Sequence, residues 1–416
     1  MTTQDVVTWA VAGIATAGVI LRPFRLPEAL WAVLGAAILV VFGLLPWPDA
    51  LTAIGKGVDV YLFLTGMMLL SELARQEGLF DYVAARAARL ARGSARRLFV
   101  LVYGVGTIVT AFLSNDATAV VLTPAVYAAT RAAKADPLPY LLVCALIANA
   151  ASFLLPISNP ANLVLYASHL PPLPDWVGTF LLPSVVSIGA TYVALRLVQR
   201  RALRDGIEAE VSVPPLSAGG RTAAAAILVT AAILLTASAL DWQLGLPTAA
   251  AGVIATAAVC IGNRLSPLPI LRHVSWGVIP LVAGLFVLVE ALAHTGVIGT
   301  IAGLLHEAAA STPRFTAWAG GIALAFGCNL TNNLPAGLIA SSSLQLARPP
   351  RMVTDALLIG VDLGPNLSVT GSLATILWLI ALRREGIEVG FWQFLRVGAV
   401  VMPPALVLAL AALLVR

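Results

Sequence analysis

Long apolar runs alternate with short polar breaks along the chain, and the runs have the length of a membrane crossing. A helix spans the roughly 30 Å hydrocarbon core with about 20 residues. Runs of that kind recur at roughly 6–22, 28–45, 58–77, 138–167, 177–199, 222–240, 247–262, 275–293, 353–382 and 391–415. They predict about ten transmembrane helices. The runs are continuous and rich in Ala, Leu and Gly, without the alternation of a membrane barrel, so the expected fold class is an all-α polytopic membrane protein. No basic residue precedes the first run, which reads as a true span rather than a cleaved signal.

Two apolar stretches are left over, 98–130 and 316–346, each interrupted in its middle by polar residues and Pro. Two crossings need about 40 residues plus a turn, so each is either a single crossing or a re-entrant hairpin. The basic residues choose between these, because Lys and Arg collect on the cytoplasmic side. With two hairpins, 20 of the 25 basic residues share one side, leaving Lys56, Arg314, Arg348, Arg351 and Arg416 on the other; with two single crossings the split is 12 to 13. The expected topology therefore has two re-entrant helical hairpins and both termini periplasmic, in a bacterial inner membrane. The Arg86–Arg97 loop and the 200–221 linker lie in the cytoplasm.

Landmarks recur at a nearly constant offset. Glu72 and Gly78 reappear as Glu290 and Gly296, Ser114-Asn115-Asp116 as Thr331-Asn332-Asn333, and Asn149 and Asn159 fall opposite Asp362 and Ser372. The first copy starts outward-to-inward and the second inward-to-outward, which predicts two inverted-topology repeats with discontinuous helices at the substrate site. The expected organisation is a two-helix scaffold over 1–57, repeat 1 over 58–199, the linker 200–221, a second two-helix scaffold over 222–262, and repeat 2 over 263–416.

Composition agrees with this picture. Hydrophobic residues make up 59% and charged residues 11%, with mean hydropathy +0.93, against roughly 25% charged in soluble domains. The net charge of +5 is accounted for by basic anchors flanking spans, so no nucleic-acid partner is expected.

Hairpin tips and unwound helices expose backbone groups that hydrocarbon cannot satisfy, so they must line a buried or watery cavity. The candidate substrate-binding residues there are Asn115, Ser158, Asn159, Asn332, Asn333, Asn366, Thr370 and Ser372, with Asn149, Asn162 and Thr331 in support. A carboxylate at membrane depth costs roughly 2.5–3.5 kcal/mol on insertion scales and marks function. Asp116 and Asp362 are accordingly the candidate proton-coupling residues. Glu72 and Glu290 stand near helix ends, where structural pairing is the expected use. The lone Cys144, Cys260 and Cys328 share no motif, the histidines His169, His273, His294 and His306 fall at loops or helix ends, and His306-Glu307 opens no metal motif, so no metal site and no cofactor are expected.

The segments FGCNLTNNLPAGLIASSSLQLARPP (326–350) and DALLIGVDLGPNLSVTGSLATILWLIALRREGIEVGFWQFLRVGAVVMPPALVLAL (355–410) resemble the arsenite/antimonite efflux permease (ArsB) family of the ion transporter superfamily. SNDATAVVLTPAV (114–126) and SNPANLVLYASHL (158–170) resemble its first-half motifs more loosely. The family has Gly-Ala where this chain has Ala117-Thr118, and no Pro at Pro160. The resemblance implies efflux of trivalent arsenite and antimonite coupled to proton influx by alternating access, and association with a soluble arsenite-stimulated ATPase. A sodium/proton antiporter of the same superfamily is the alternative, and a sodium-coupled carboxylate carrier a further variant. A membrane enzyme lacks any nucleophile–base or metal constellation in the spans.

Overall fold

The computed structural model describes residues 2–166, 170–264 and 266–415, including every side chain except that of Arg25. His169 and Arg416 therefore lie outside the described residues. Those described form an all-helical protein whose single β-type pairing is the isolated bridge Ser94–Gly206.

The chain opens with α1 (Thr3–Leu21), which Thr2 caps, and α2 (Glu28–Val41). The short α3 (Trp47–Lys56) bends by 46° into α4 (Val58–Gln76). Gly78, at φ 72°, turns the chain into α5 (Leu79–Leu90); the left-handed conformation is one that glycine adopts without steric cost. The first hairpin is α6 (Ala95–Phe112), the short α7 (Asn115–Ala117), a π-helical turn over Thr118–Leu122, and α8 (Thr123–Ala132). An interrupted helix follows: α9 (Leu138–Ala150) unwinds before α10 (Pro160–Tyr166). The long α11 (Leu173–Val198) closes the first half.

After the linker come α12 (Ala218–Ala239), α13 (Gly245–Gly262) and α14 (Leu268–His273). Then α15 (Val278–His294) turns by 76° at Gly296, at φ 82°, into α16 (Val297–Ser311). The second hairpin is α17 (Pro313–Thr331) and α18 (Asn333–Ala347). The second interrupted helix is α19 (Arg351–Leu363) and α20 (Leu373–Arg384), and α21 (Phe391–Leu414) ends the fold, packed along α11.

Paired landmarks thus occupy equivalent places in two copies. Gly78 and Gly296 make the same left-handed corner, each hairpin is followed by an interrupted helix, and each interrupted helix by a long closing one. The hairpin tips sit against the breaks: Ser158 Oγ donates to the Ala111 carbonyl (3.1 Å), and Asn333 N–H to the Gly371 carbonyl (2.8 Å). A tip held at the middle of a spanning helix is at mid-depth, so each hairpin re-enters and returns.

Close helix crossings depend on glycine. A Cβ at Gly252 of α13 would stand 2.6 Å from the Gly66 carbonyl of α4, and one at Gly321 of α17 would stand 2.8 Å from the Ala356 carbonyl of α19. Small residues allow such backbone approach, which is how helices associate in lipid.

The spans differ from expectation in detail. Among the described residues, α1, α6, α11, α12, α13 and α21 are long and apolar enough to cross a bilayer alone, and α4 and α15 qualify when joined to their bent neighbours. The run 28–45 is helical only over Glu28–Val41, and 138–167 and 353–382 are each two helices. The segment expected as an arginine-rich loop over Arg86–Arg97 is non-helical only at 91–94: α5 runs to Leu90, burying Phe80, Ala84, Ala87 and Ala88 and leaving Arg89 in the open, and α6 starts at Ala95. The 3.6-residue period of α5 is amphipathic, so a search for uninterrupted apolar runs passes over it.

Candidate functional site

Four helices begin at one place in the middle of the molecule, and polar side chains start each of them. Ser114 Oγ accepts the Ala117 N–H (3.1 Å) at α7, and Asn115 Oδ1 accepts the Asp116 N–H (2.9 Å). Asn159 Oδ1 accepts the Ala161 N–H (3.0 Å) at α10, whose first residue Pro160 has no N–H to leave unpaired. Asn332, at φ 74°, reaches the Leu334 N–H (3.4 Å) at α18, and Ser372 Oγ accepts the Thr375 N–H (3.1 Å) at α20. Helix starts carry partial positive charge.

A small pocket of about 10 Å³ lies among these starts, lined by Asn115, Asp116, Asn159, Pro160, Asn333 and Leu373. A larger cavity of about 480 Å³ runs from Ser114 and Asp116, past Met67, Val120 and Val121, to a mouth carrying Arg75, Asp81, His273, Arg384 and Glu385. Asp116 lines both. Its carboxylate has no hydrogen-bond or ion-pair partner among the described residues.

The two repeats bond to each other beside the small pocket. Asn159 Nδ2 of the first donates to Asp362 Oδ1 of the second (2.8 Å), and Asn149 Nδ2 to Asn366 Oδ1 (3.0 Å), while Asn366 Nδ2 donates to the Leu146 carbonyl (2.9 Å). Asp362 Oδ2, Asn149 Oδ1, Asn162 Oδ1 and Asn333 Oδ1 are buried without a protein partner. Every one of these is an acceptor, a set that suits a proton or a ligand O–H.

Of the candidates read from the sequence, Asn115, Asp116, Asn159 and Asn333 line the small pocket and Asp362 stands one hydrogen bond behind it. The structure does not bring Ser158, Asn332, Asn366, Thr370 and Ser372 to either cavity. Their polar groups satisfy the backbone freed by unwinding: Thr370 Oγ1 donates to the Asn329 carbonyl (2.8 Å), and Asn332 Nδ2 to the Thr370 carbonyl (3.3 Å). Asn162 Nδ2 bonds the Ser152 carbonyl (2.9 Å), and Thr331 Oγ1 the Gly327 carbonyl (3.1 Å). Asn329 is the hub of the second tip, donating to the Gly364 carbonyl (3.0 Å) and accepting from Ser368 Oγ (2.8 Å).

Glu72 forms an ion pair with Arg75 (2.6 Å) in the cavity wall, and Glu290 pairs with Lys56 (2.7 Å). The run pattern does not single out the charged mouth residues, which, apart from the neighbours Arg384 and Glu385, come from separate stretches of the chain and meet only in the fold. It also passes over Asp355, buried and bonded by Tyr166.

Inverted repeats, hairpin tips against broken helices, and a cavity that ends at their meeting point together define a polytopic membrane transporter. The chain belongs to the family described as citrate transporter (CitMHS), whose model matches residues 14–361. An arsenical pump membrane protein of Yersinia enterocolitica is 27% identical over 84% of this chain and 84% of its own length. Another from Escherichia coli K12 is 26% identical over 96% of each. The resemblance read from the motifs is thus borne out. The YdaH transporter of Alcanivorax borkumensis, whose crystal structure revealed an unusual topology, shares the fold with a TM-score of 0.57 at 16% identity, covering 88% of this chain and 86% of that one.

Proposed function

We propose that this protein exports trivalent arsenite and antimonite from the cytoplasm by alternating access, coupled to proton influx. The observation that carries the reading is the unpaired Asp116 carboxylate among the amides of Asn115, Asn159 and Asn333, with no Lys, Arg or His lining the small pocket. Arsenite near neutral pH is a small uncharged trihydroxide. Its three O–H groups can donate to a carboxylate while its oxygens accept from amide N–H groups.

The charge balance fits that cargo. Partial positive charge from the helix starts is offset by ionised Asp116, leaving a site for a neutral solute. Citrate, named in the family's description, would bring three negative charges to a pocket that holds a carboxylate and no cation, and a buried unpaired charge is costly. Arg384 and His273 stand at the cavity mouth, and Arg75 is already paired with Glu72.

Coupling follows from competition. Ionised Asp116 accepts hydrogen bonds from arsenite, whereas protonated Asp116 loses an acceptor, so proton and cargo exclude one another. Asp362, held by Asn159, is the second carrier, one step further from solvent. Asn115, Asn159 and Asn333 bind the cargo. The charged mouth is the cytoplasmic opening, the interrupted helices and hairpins form the moving unit, and α1–α2 with α12–α13 the frame. The relatives' name supports the cargo class, and a soluble arsenite-stimulated ATPase is the proposed partner.

Everted bacterial membrane vesicles test this. Arsenite uptake should require an inside-acid pH gradient, disappear with an uncoupler and persist in excess citrate. Asp116→Asn should cut gradient-driven uptake at least about tenfold while leaving the amount of inserted protein unchanged. Absence of arsenite uptake together with sodium-induced proton movement would instead assign the protein as a sodium/proton antiporter.

A further inference from the structure

The return limb of the first hairpin contains a five-residue π-helical turn, Thr118–Leu122, directly after Asp116. Its cause is legible in the sequence. Pro124 has no N–H for the carbonyl four residues back, at Val120, and its ring crowds that carbonyl. Thr123 adds to the effect: its Oγ1 donates to the Thr118 carbonyl five residues back (3.2 Å). A wider turn relieves the crowding and leaves one extra residue in the helix.

That extra residue decides where Asp116 points. Val120, Val121, Pro124 and Ala125 line the large cavity, and upstream of them Ser114, Asp116 and Ala117 do so too. Counting about 100° per residue back from the centre of the face made by Val120, Val121, Pro124 and Ala125, an unbroken α-helix would carry Asp116 about 110° away from it. The inserted residue adds about 100° of rotation upstream and brings Asp116 onto the face. Only the three-residue α7 and its Ser114 cap lie upstream, so the rotation drags no long helix with it. Thr110 Oγ1 and Thr118 Oγ1, 2.8 Å apart, pin the turn to the outgoing limb.

We propose that Pro124 is a positioning residue that, through the π turn it forces, aims Asp116 into the cavity. The inference rests on the reading of Asp116 as the proton-exchanging group, but its test does not use transport. In everted vesicles, Asp116→Cys is modified by a membrane-impermeant thiol reagent, alone and combined with Pro124→Ala. Val120→Cys, with and without Pro124→Ala, reports whether the cavity itself is intact. Thiol modification tracks exposure, so Pro124→Ala should slow labelling at position 116 by about tenfold or more and leave position 120 unchanged. Equal rates at 116 in both backgrounds would overturn the proposal. So would parallel loss at both positions, which would make Pro124 a prop for the cavity wall. Transport by Asp116→Asn separately decides the reading on which the proposal stands, so the two can fail independently.

Discussion

Asn159 combines two roles in one side chain: its oxygen starts α10 and its nitrogen holds Asp362 of the other repeat. Asp362 is 0% exposed, and Asn159 Nδ2 donates to its Oδ1. Removing a partner from a buried polar group costs about 1–3 kcal/mol, more when the group is charged. Asn159→Ala should therefore lower the unfolding temperature of the detergent-purified protein. In the Asp362→Asn background the same change should cost markedly less, because the group left behind is neutral. Equal losses in the two backgrounds would show that the pair is not energetically coupled. Residue identity was the legible part of this site: Asn115, Asp116, Asn159 and Asn333 stand out as polar groups beside Pro and helix breaks within apolar runs. Direction was not. An unwound helix consumes polar side chains to satisfy its own backbone, so Thr370 and Asn332 carry the same signature as a ligand group while bonding main chain.

Among the elements, the linker between the halves does more than connect them. It crosses the base of the first hairpin, where the Ile207 N–H donates to the Gly93 carbonyl (3.1 Å) and the Glu208 N–H to the Ala133 carbonyl (2.7 Å). Lys134 Nζ donates to Glu208 Oε2 (3.0 Å), and Ser217 Oγ then reaches the Glu77 carbonyl (3.2 Å) beyond α4. Gly93 precedes α6 and Lys134 follows α8, so this strap ties both feet of the hairpin together. The Lys134 hydrogen bond holds the Glu208 carboxyl below its ordinary value of 4.5. A depressed carboxyl contributes stability above its unfolded pKa and loses it as pH falls through the folded one, so the clasp is intact at neutral pH and released only in acid. An exposed ion pair contributes modestly, and Lys134→Glu should speed proteolysis of the strap in everted vesicles by about two- to fivefold, with Lys134→Glu/Glu208→Lys restoring protection. Failure of the swap to restore it would leave the backbone bonds as the whole attachment. Elements of this kind escape a sequence reading because a polar strap has no period. The hairpins were legible for the opposite reason: two apolar stretches, each too short to cross twice, broken at matching positions. Helices α5 and α16 were not, since each follows a glycine corner that the run pattern treats as a loop.

At the scale of the whole molecule, the two tips differ. The second tip is closed over by Asn329, Ser368 and Thr370, whereas the first opens into the large cavity. Arg75, His273 and Arg384 at its mouth all belong to the side that holds 20 of the 25 basic residues in the re-entrant topology. Under the topology proposed from the positive-inside bias that side is cytoplasmic, and the cavity opens inward. In the proposed alternating-access cycle the inverted repeat supplies the opposite state, in which the second tip faces the periplasm and the first is covered. The orientation is testable without any substrate. Alkaline phosphatase fused after Val415 should be active and a fluorescent protein at the same place dark, with both results reversed for fusions within 209–216. Activity in the reversed pattern would turn the cavity outward. The unpaired Asp116 would then meet periplasmic solvent first, and the conformation seen here would be the one that releases cargo and takes up the proton in the proposed cycle.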